Sequence, residues 1–298
     1  MGEVVGCGLI AHVPTVMLPE AIRYELNGGK EFTVVTGLKR LRAEVLPKLD
    51  YDTVVVLDSH WFTTVEFAIT SHDRRQGKYT SDELPRGMSQ VPYDAPGDPE
   101  FAKAVAALGS KHGTWITAID DPCLPIQYAT VNLMTYLQKG KEAWVSMSCA
   151  QTGETDDFLR AGRAIGEAIA NTDRKVLLLA SGAMSHKFWP LSKLRQHEAA
   201  GVEHIFSPAH AKADLERLEW LKAGDHARVL AAMPEFLQYR PEANFGHYVM
   251  MAASLGEGDL CAPGRLYSEY ENSIGTGQVH VWFDRPAGGW QQDRRAAQ

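Results

Sequence analysis

A chain of 298 residues, 45% hydrophobic and 22% charged, has ordinary globular composition and enough apolar material for a large core. Its net charge of -7 argues against a nucleic-acid partner, which would call for a basic stripe. No apolar run approaches the roughly 20 residues that cross a bilayer, so no membrane partner is expected.

The N-terminus lacks the basic-then-apolar pattern of a secretory signal. Cys7, Cys123, Cys149 and Cys261 lie far apart without a CxxC pair, so they read as reduced thiols of a cytoplasmic protein.

Residues 3–10 read as a first strand, running into Ala11-His12-Val13-Pro14. Residues 15–31 hold Pro19, Gly28 and Gly29 and read as loop with local helix. Phe32 to Leu46 carries apolar residues at helical spacing and stops at Pro47. Residues 52–58 form a second strand, short and β-branched, that ends in Asp58-Ser59-His60-Trp61. Thr64 to Thr70 alternates like another strand, and Ser71 to Pro99 is a long polar excursion of the kind that makes binding loops.

A helix over 99–111, a strand over 114–119, a helix over 126–137 and a strand over 143–149 follow. A helix from Asp156 to Ala170 leads to Lys175–Ser181, the most apolar strand, and then to Gly182-Ala183-Met184-Ser185-His186. Residues 192–205 give no clear pattern; 212–230 and 233–237 read as helical. Arg240 to Gly246 is a loop opening into an apolar helix through Leu255, and Gly275-Thr276-Gly277 precedes a last strand over 278–283. The tail from Arg285 reads as disordered. Strands alternating with helices imply one large α/β domain, residues 1–284, with a mixed, partly parallel central sheet flanked by helices.

Three of these strands run into a histidine: His12, His60 and His186. Parallel strands point their carboxyl ends to one edge, where open α/β sheets present ligands. Convergent imidazoles in a chain without paired cysteines suggest a metal or an acid/base site. Two histidines and a carboxylate make the facial triad of non-haem iron(II) oxygenases, and the same donors can hold zinc. The carboxylate candidate is Glu242, which reads equally as a helix-start acid favoured by the macrodipole. Asp58 is a competing ligand, or an acceptor that orients an imidazole. His112 reads as a surface residue, and His72, His247 and His280 are left out.

Together, Ala-His12-Val-Pro, Asp-Ser-His60-Trp, Ser-Gly-Ala-Met-Ser-His186, the Pro-Glu242-Ala-Asn loop and the Ile-Gly-Thr-Gly-Gln segment resemble the class III extradiol ring-cleaving dioxygenases. Within them the homoprotocatechuate (3,4-dihydroxyphenylacetate) 2,3-dioxygenase branch is the more similar, since Gly77 to Pro85 also has a counterpart there. The resemblance spans residues 3 to 284.

It implies iron(II) on His12, His60 and Glu242, with His186 as acid/base. It also implies a small aromatic diol and O2 as reactants, a hydroxymuconic semialdehyde as product, and a homo-oligomer. Several relatives carry a second catalytic histidine where this chain reads Gln127-Tyr128-Ala129-Thr130. Either Tyr128 supplies a hydrogen bond there or this branch works with one imidazole. Tyr79 and Ser185 are the expected substrate contacts. A polycyclic catechol or a 2-aminophenol is the alternative substrate, and zinc the alternative metal.

Overall fold

The structure, a computed structural model, describes residues 1–84 and 87–291. Pro85, at the end of the Gly77–Pro85 stretch singled out above, lies outside the described residues.

Among the described residues twelve strands occur in chain order: β1 (Glu3–Ile10), β2 (Thr53–Thr63), β3 (Phe67–Thr70), β4 (Arg74–Tyr79), β5 (Val91–Pro96), β6 (Ile116–Ile119), β7 (Ala143–Ala150), β8 (Lys175–Ser181), β9 (Gly264–Leu266), β10 (Glu271–Ser273), β11 (Thr276–Gln278) and β12 (His280–Asp284). Eight of them make one sheet in the order β6-β3-β7-β2-β8-β1-β12-β9. Its centre, β7-β2-β8-β1, is parallel. Antiparallel pairings flank it, β3 on β7 and β12 on β1. The mixed sheet within one α/β domain is what the alternation of elements predicts.

Both faces of the sheet are covered, so its central strands are apolar on successive residues rather than alternately. Val55, Leu57 and Leu178 pack against the helices Thr155–Asn171 and Gly246–Ser254. Val54, Val56, Leu177 and Leu179 face the other way, towards the helices Thr33–Arg40 and Tyr128–Leu137. Register then levels the strand ends. Ile10 and Asp58 both pair with Ser181. The segments that follow β1, β8 and the straight part of β2 therefore leave from one edge.

Several elements differ from the sequence reading for local reasons. β2 does not stop at Asp58 but continues to Thr63, with a break in its pairing to β7 between Asp58 and Phe62. The excursion after Ser71 is a β4–β5 hairpin. The expected helix over 212–230 is two, Pro208–Ala223 and His226–Ala231. Gly224, at φ +74, ends the first, and the Asp225 side chain caps the second. β9 and β10, three residues each, carry too little pattern to be read in advance.

Residues 285–291, expected as tail, lie on the body of the protein: Trp290 is buried and its Nε1 donates to the Val4 carbonyl. Residues 292–298 lie outside the described residues. All four cysteines are free thiols. Among the described residues no helix is long and apolar enough to cross a membrane.

Candidate metal centre

His12 stands just beyond β1 and is buried. Its Nδ1 pairs with Ser181 Oγ at 2.9 Å, which fixes the ring and turns Nε2 inward. There Nε2 lies 3.4 Å from Glu242 Oε1. Asn132 Nδ2 donates to the His12 carbonyl at 2.7 Å and holds its backbone. The sheet edge and one side chain from each neighbouring element thus aim a single imidazole nitrogen.

Glu242 reaches the same point from the far end of the chain. Its backbone N–H donates to the Met184 carbonyl at 3.0 Å, and its Oε2 accepts from the Ala183 N–H at 2.6 Å. The residues after it are conformationally unusual: Ala243, Asn244 and Phe245 have φ of 45, 56 and 58°, three left-handed residues in succession. Each such non-glycine residue costs roughly 1–2 kcal/mol, and strain of this kind gathers at functional sites. The turn delivers the Glu242 carboxylate to the sheet edge and starts the Gly246–Ser254 helix behind it.

The electrostatics follow from burial. Burial pushes the Glu242 carboxyl up, but the charges of His12 and His186 outweigh it and hold the group well below the usual carboxylate range. Burial pushes His12 down, and the Glu242 carboxylate more than offsets this, so His12 is raised. A carboxylate this deep needs a cation beside it. A divalent metal meets that need with the donors present. His60 is lowered by burial and by His12, a shift towards the neutral form that can bind a metal.

His60 lies in the irregular part of β2. Asp58 is fully buried, and its Oδ1 accepts the N–H groups of His60 and Trp61, both at 3.0 Å. Its Oδ2 accepts from Thr130 Oγ1 at 2.8 Å. Asp58 is thus engaged in bending the strand that carries His60. The His60 ring centroid is 6.2 Å from that of His12. Tyr128, first residue of its helix, lies over both rings, 3.8 Å from His60 and 5.4 Å from His12. Among the described residues no three His, Cys, Asp or Glu side chains are already closed on one point. His12 and Glu242 meet, and His60 stands one ring away.

A cavity of about 140 Å³ opens onto this cluster, with His12, Tyr128, His186 and Glu242 in its wall. Apolar voids of roughly this size hold one benzene ring. Pro14, Leu84, Phe188 and Ile274 supply apolar walls, and Glu83 supplies an acid. His186 is half-buried, its ring packed edge-on to Phe188 at 4.6 Å.

The other expected contacts stand elsewhere. Tyr79 ends β4, a few residues before Glu83 and Leu84, which reach the cavity; Tyr79 itself is not in the cavity wall. Ser185, expected to meet substrate, is fully buried and faces away; its Oγ donates to Asp214 at 2.6 Å.

The sequence family described as the catalytic LigB subunit of aromatic ring-opening dioxygenase matches residues 6–284. The chain belongs to this family. It is an extradiol ring-cleaving dioxygenase, and enzymes of this kind depend on a metal. It is 29% identical over 259 residues to 3,4-dihydroxyphenylacetate 2,3-dioxygenase of Escherichia coli, covering 86% of this chain and 91% of the relative. It is 25% identical over 298 residues to the 2-aminophenol 1,6-dioxygenase beta subunit of a Pseudomonas species, covering 94% and 93%. An uncharacterized Escherichia coli protein of solved structure shares the fold, at TM-score 0.62 and 14% identity over 94% of this chain and 99% of its own.

His247, left out of the sequence reading, lies next to this cluster. His247 is fully buried, and neither ring nitrogen has a hydrogen-bond partner. Burial pushes it down to about 3, against the pull of Glu242 and with the repulsion of His12 and His186. Its ring faces Gly182, where an added Cβ would come within 2.7 Å of Nε2 and 2.5 Å of Ser59 Oγ. Only its place five residues after Glu242, at the start of an apolar helix, could have drawn notice.

Proposed function

We propose that the protein opens a catechol ring beside its diol with O2, using iron(II) held by His12, His60 and Glu242, and gives a hydroxymuconic semialdehyde. The observation that carries this reading is the approach of His12 Nε2 and Glu242 Oε1 to 3.4 Å in the wall of a ring-sized cavity that His186 also lines. Bound there, iron(II) would bring both catechol oxygens and dioxygen within reach and relay electron density between them.

The chain's own residues do the rest. His186, half-exposed in the cavity wall, takes a catechol proton and returns one later; an imidazole suits both duties near neutral pH. Tyr128 presents its ring to the ligand imidazoles and, from the cavity wall, a hydroxyl that burial keeps protonated. Phe188, Ile274 and Pro14 hold the ring and exclude water. Tyr79 supports the Glu83–Leu84 wall, and Ser185 acts by positioning.

The 3,4-dihydroxyphenylacetate-like substrate rests on the first relative. A second substrate reading has an observation of its own: among the described residues, no lysine or arginine lines the cavity, while Glu83 does. That wall suits an uncharged ring, a polycyclic catechol or a 2-aminophenol, better than an anionic side chain.

Anaerobic loading with iron(II) or zinc, then O2 uptake and product absorbance over a panel of these substrates, tests the reading. Ring opening by the iron-loaded protein alone is expected. Turnover with zinc and no O2 uptake would replace it with a zinc enzyme. The reading includes a cytoplasmic homo-oligomer; light scattering that shows a monomer would remove the oligomer.

A further inference from the structure

We propose that Asp214 is a positioning residue for His186, acting through Ser185. The inference rests on the reading of His186 as the acid/base.

The segment between β8 and His186 has no regular structure to hold it. Its backbone is stitched on two sides. Met184 N–H donates to the Gly277 carbonyl, and Gly277 N–H donates back to that of Ser185, both at 2.9 Å. His186 N–H donates to the Arg240 carbonyl at 2.9 Å, beside the bridge from Ser185 to Pro241.

The Ser185 N–H is left to a side chain. It donates to Asp214 Oδ1 at 3.0 Å, and Ser185 Oγ donates to Asp214 Oδ2 at 2.6 Å. Tyr270 Oη donates to the same Oδ2 at 2.6 Å. One carboxylate therefore gathers three donors from two separate segments. Asp214 is fully buried, as are the Ser185 and Arg217 side chains around it.

The fit leaves no slack. A Cβ on Gly277 would stand 2.2 Å from Asp214 Oδ2 and 2.5 Å from Tyr270 Oη, so the β10–β11 hairpin closes over the clamp only with glycine there. Burying a carboxyl group is costly in desolvation, and burial pushes Asp214 up to about 7 against its hydrogen bonds from Ser185 and Tyr270. What it holds is the peptide next to His186. Displacing a catalytic group by about 1 Å costs on the order of 100-fold in rate.

The test is a double-mutant cycle on the iron-loaded enzyme, with iron content and unfolding temperature recorded for each variant. Asp214→Asn keeps the shape and is expected to lower kcat by about tenfold to 100-fold, with KM within about twofold and iron retained. In the His186→Phe background it is expected to change kcat by less than about twofold, because a residue that acts only through His186 has nothing left to place. In metal-free protein, the His186 ring NMR signal should shift in Asp214→Asn while that of His280 does not.

Equal losses in both backgrounds, or an unchanged kcat with His186 intact, would overturn the proposal alone. Near-normal turnover of His186→Phe would remove the acid/base reading and this one with it. Should Asp214→Asn not fold, Ser185→Ala and Tyr270→Phe each delete one donor and carry the same cycle. Neither lowering kcat would also refute the clamp.

Discussion

His186 and Glu242 sit on two segments that are bonded to each other, yet they are placed to act differently. Glu242 is buried against His12, whereas His186 is half-exposed in the cavity wall. Removal of the imidazole should therefore spare the metal. His186→Phe is expected to keep its iron and to lose on the order of 10²–10⁴-fold in turnover, as assayed by O2 uptake. An iron-loaded variant with near-normal turnover would remove His186 from the chemistry.

Tyr128→Phe keeps the ring over His60 and deletes only a hydroxyl. Its turnover is expected to fall by no more than about tenfold, the worth of one hydrogen bond; a loss as deep as that of His186→Phe would make the hydroxyl a full partner in proton transfer. At this scale His12 and His186 stood out because each follows a strong strand, and His60 because it comes just after the apolar run of β2. The surroundings of Ser185, expected to meet substrate, and of His247, left out, were not legible. What they face depends on the helices of Asp214 and on the turn after Glu242, which no local pattern announces.

At the scale of the element, the departure of β2 from a plain strand matters most. The apolar run marks its first half well, and the sequence reading ends it at Asp58. The strand goes on because Asp58 satisfies the N–H groups of His60 and Trp61 through the bend, so pairing with β7 resumes at Phe62. Asp58→Ala would leave those N–H donors without their acceptor and Thr130 Oγ1 with only Ser146 Oγ. A loss of about 3 kcal/mol in denaturant unfolding is expected, together with weaker metal binding through His60. Unchanged stability would mean that water fills the role.

The Ile274-Gly275-Thr276-Gly277 segment shows a second limit of local reading. Gly275 has φ +113, and a Cβ there would meet the Lys187 carbonyl at 2.4 Å. The glycines are explained only once the hairpin is seen lying on the His186 segment.

Over the whole molecule, the alternation of strands and helices was enough to predict a single α/β domain, and it follows that parallel strand ends gather the histidines. Strand order, the antiparallel flank of β12 and β9, and the packing of Trp290 depend on contacts across nearly the full chain length, so they lay beyond a linear reading.

One consequence of that closure is acid sensitivity. His280, on β12, accepts the Ala11 N–H at Nδ1 and donates from Nε2 to the Val34 carbonyl, so it is neutral. Burial lowers it to about 4, against the Val34 bond that raises it. The unfolded chain then binds the proton more readily than the folded one. The stability from this group is present above about pH 6.5 and is lost as pH falls towards 4, by at most roughly 3 kcal/mol. Unfolding free energy measured from pH 7 to 4 should fall in the native protein and fall less in His280→Gln. Parallel slopes for the two would assign the acid sensitivity to other groups.

In the proposed enzyme, side chains from three distant parts of the chain hold one ferrous ion. Anaerobic titration with iron(II), comparing the native protein with Glu242→Ala and His12→Ala, addresses this most directly. The native protein should saturate at one iron per chain, and both variants should take up none over the same range. Equal uptake by the variants, or none by the native protein, would contradict it.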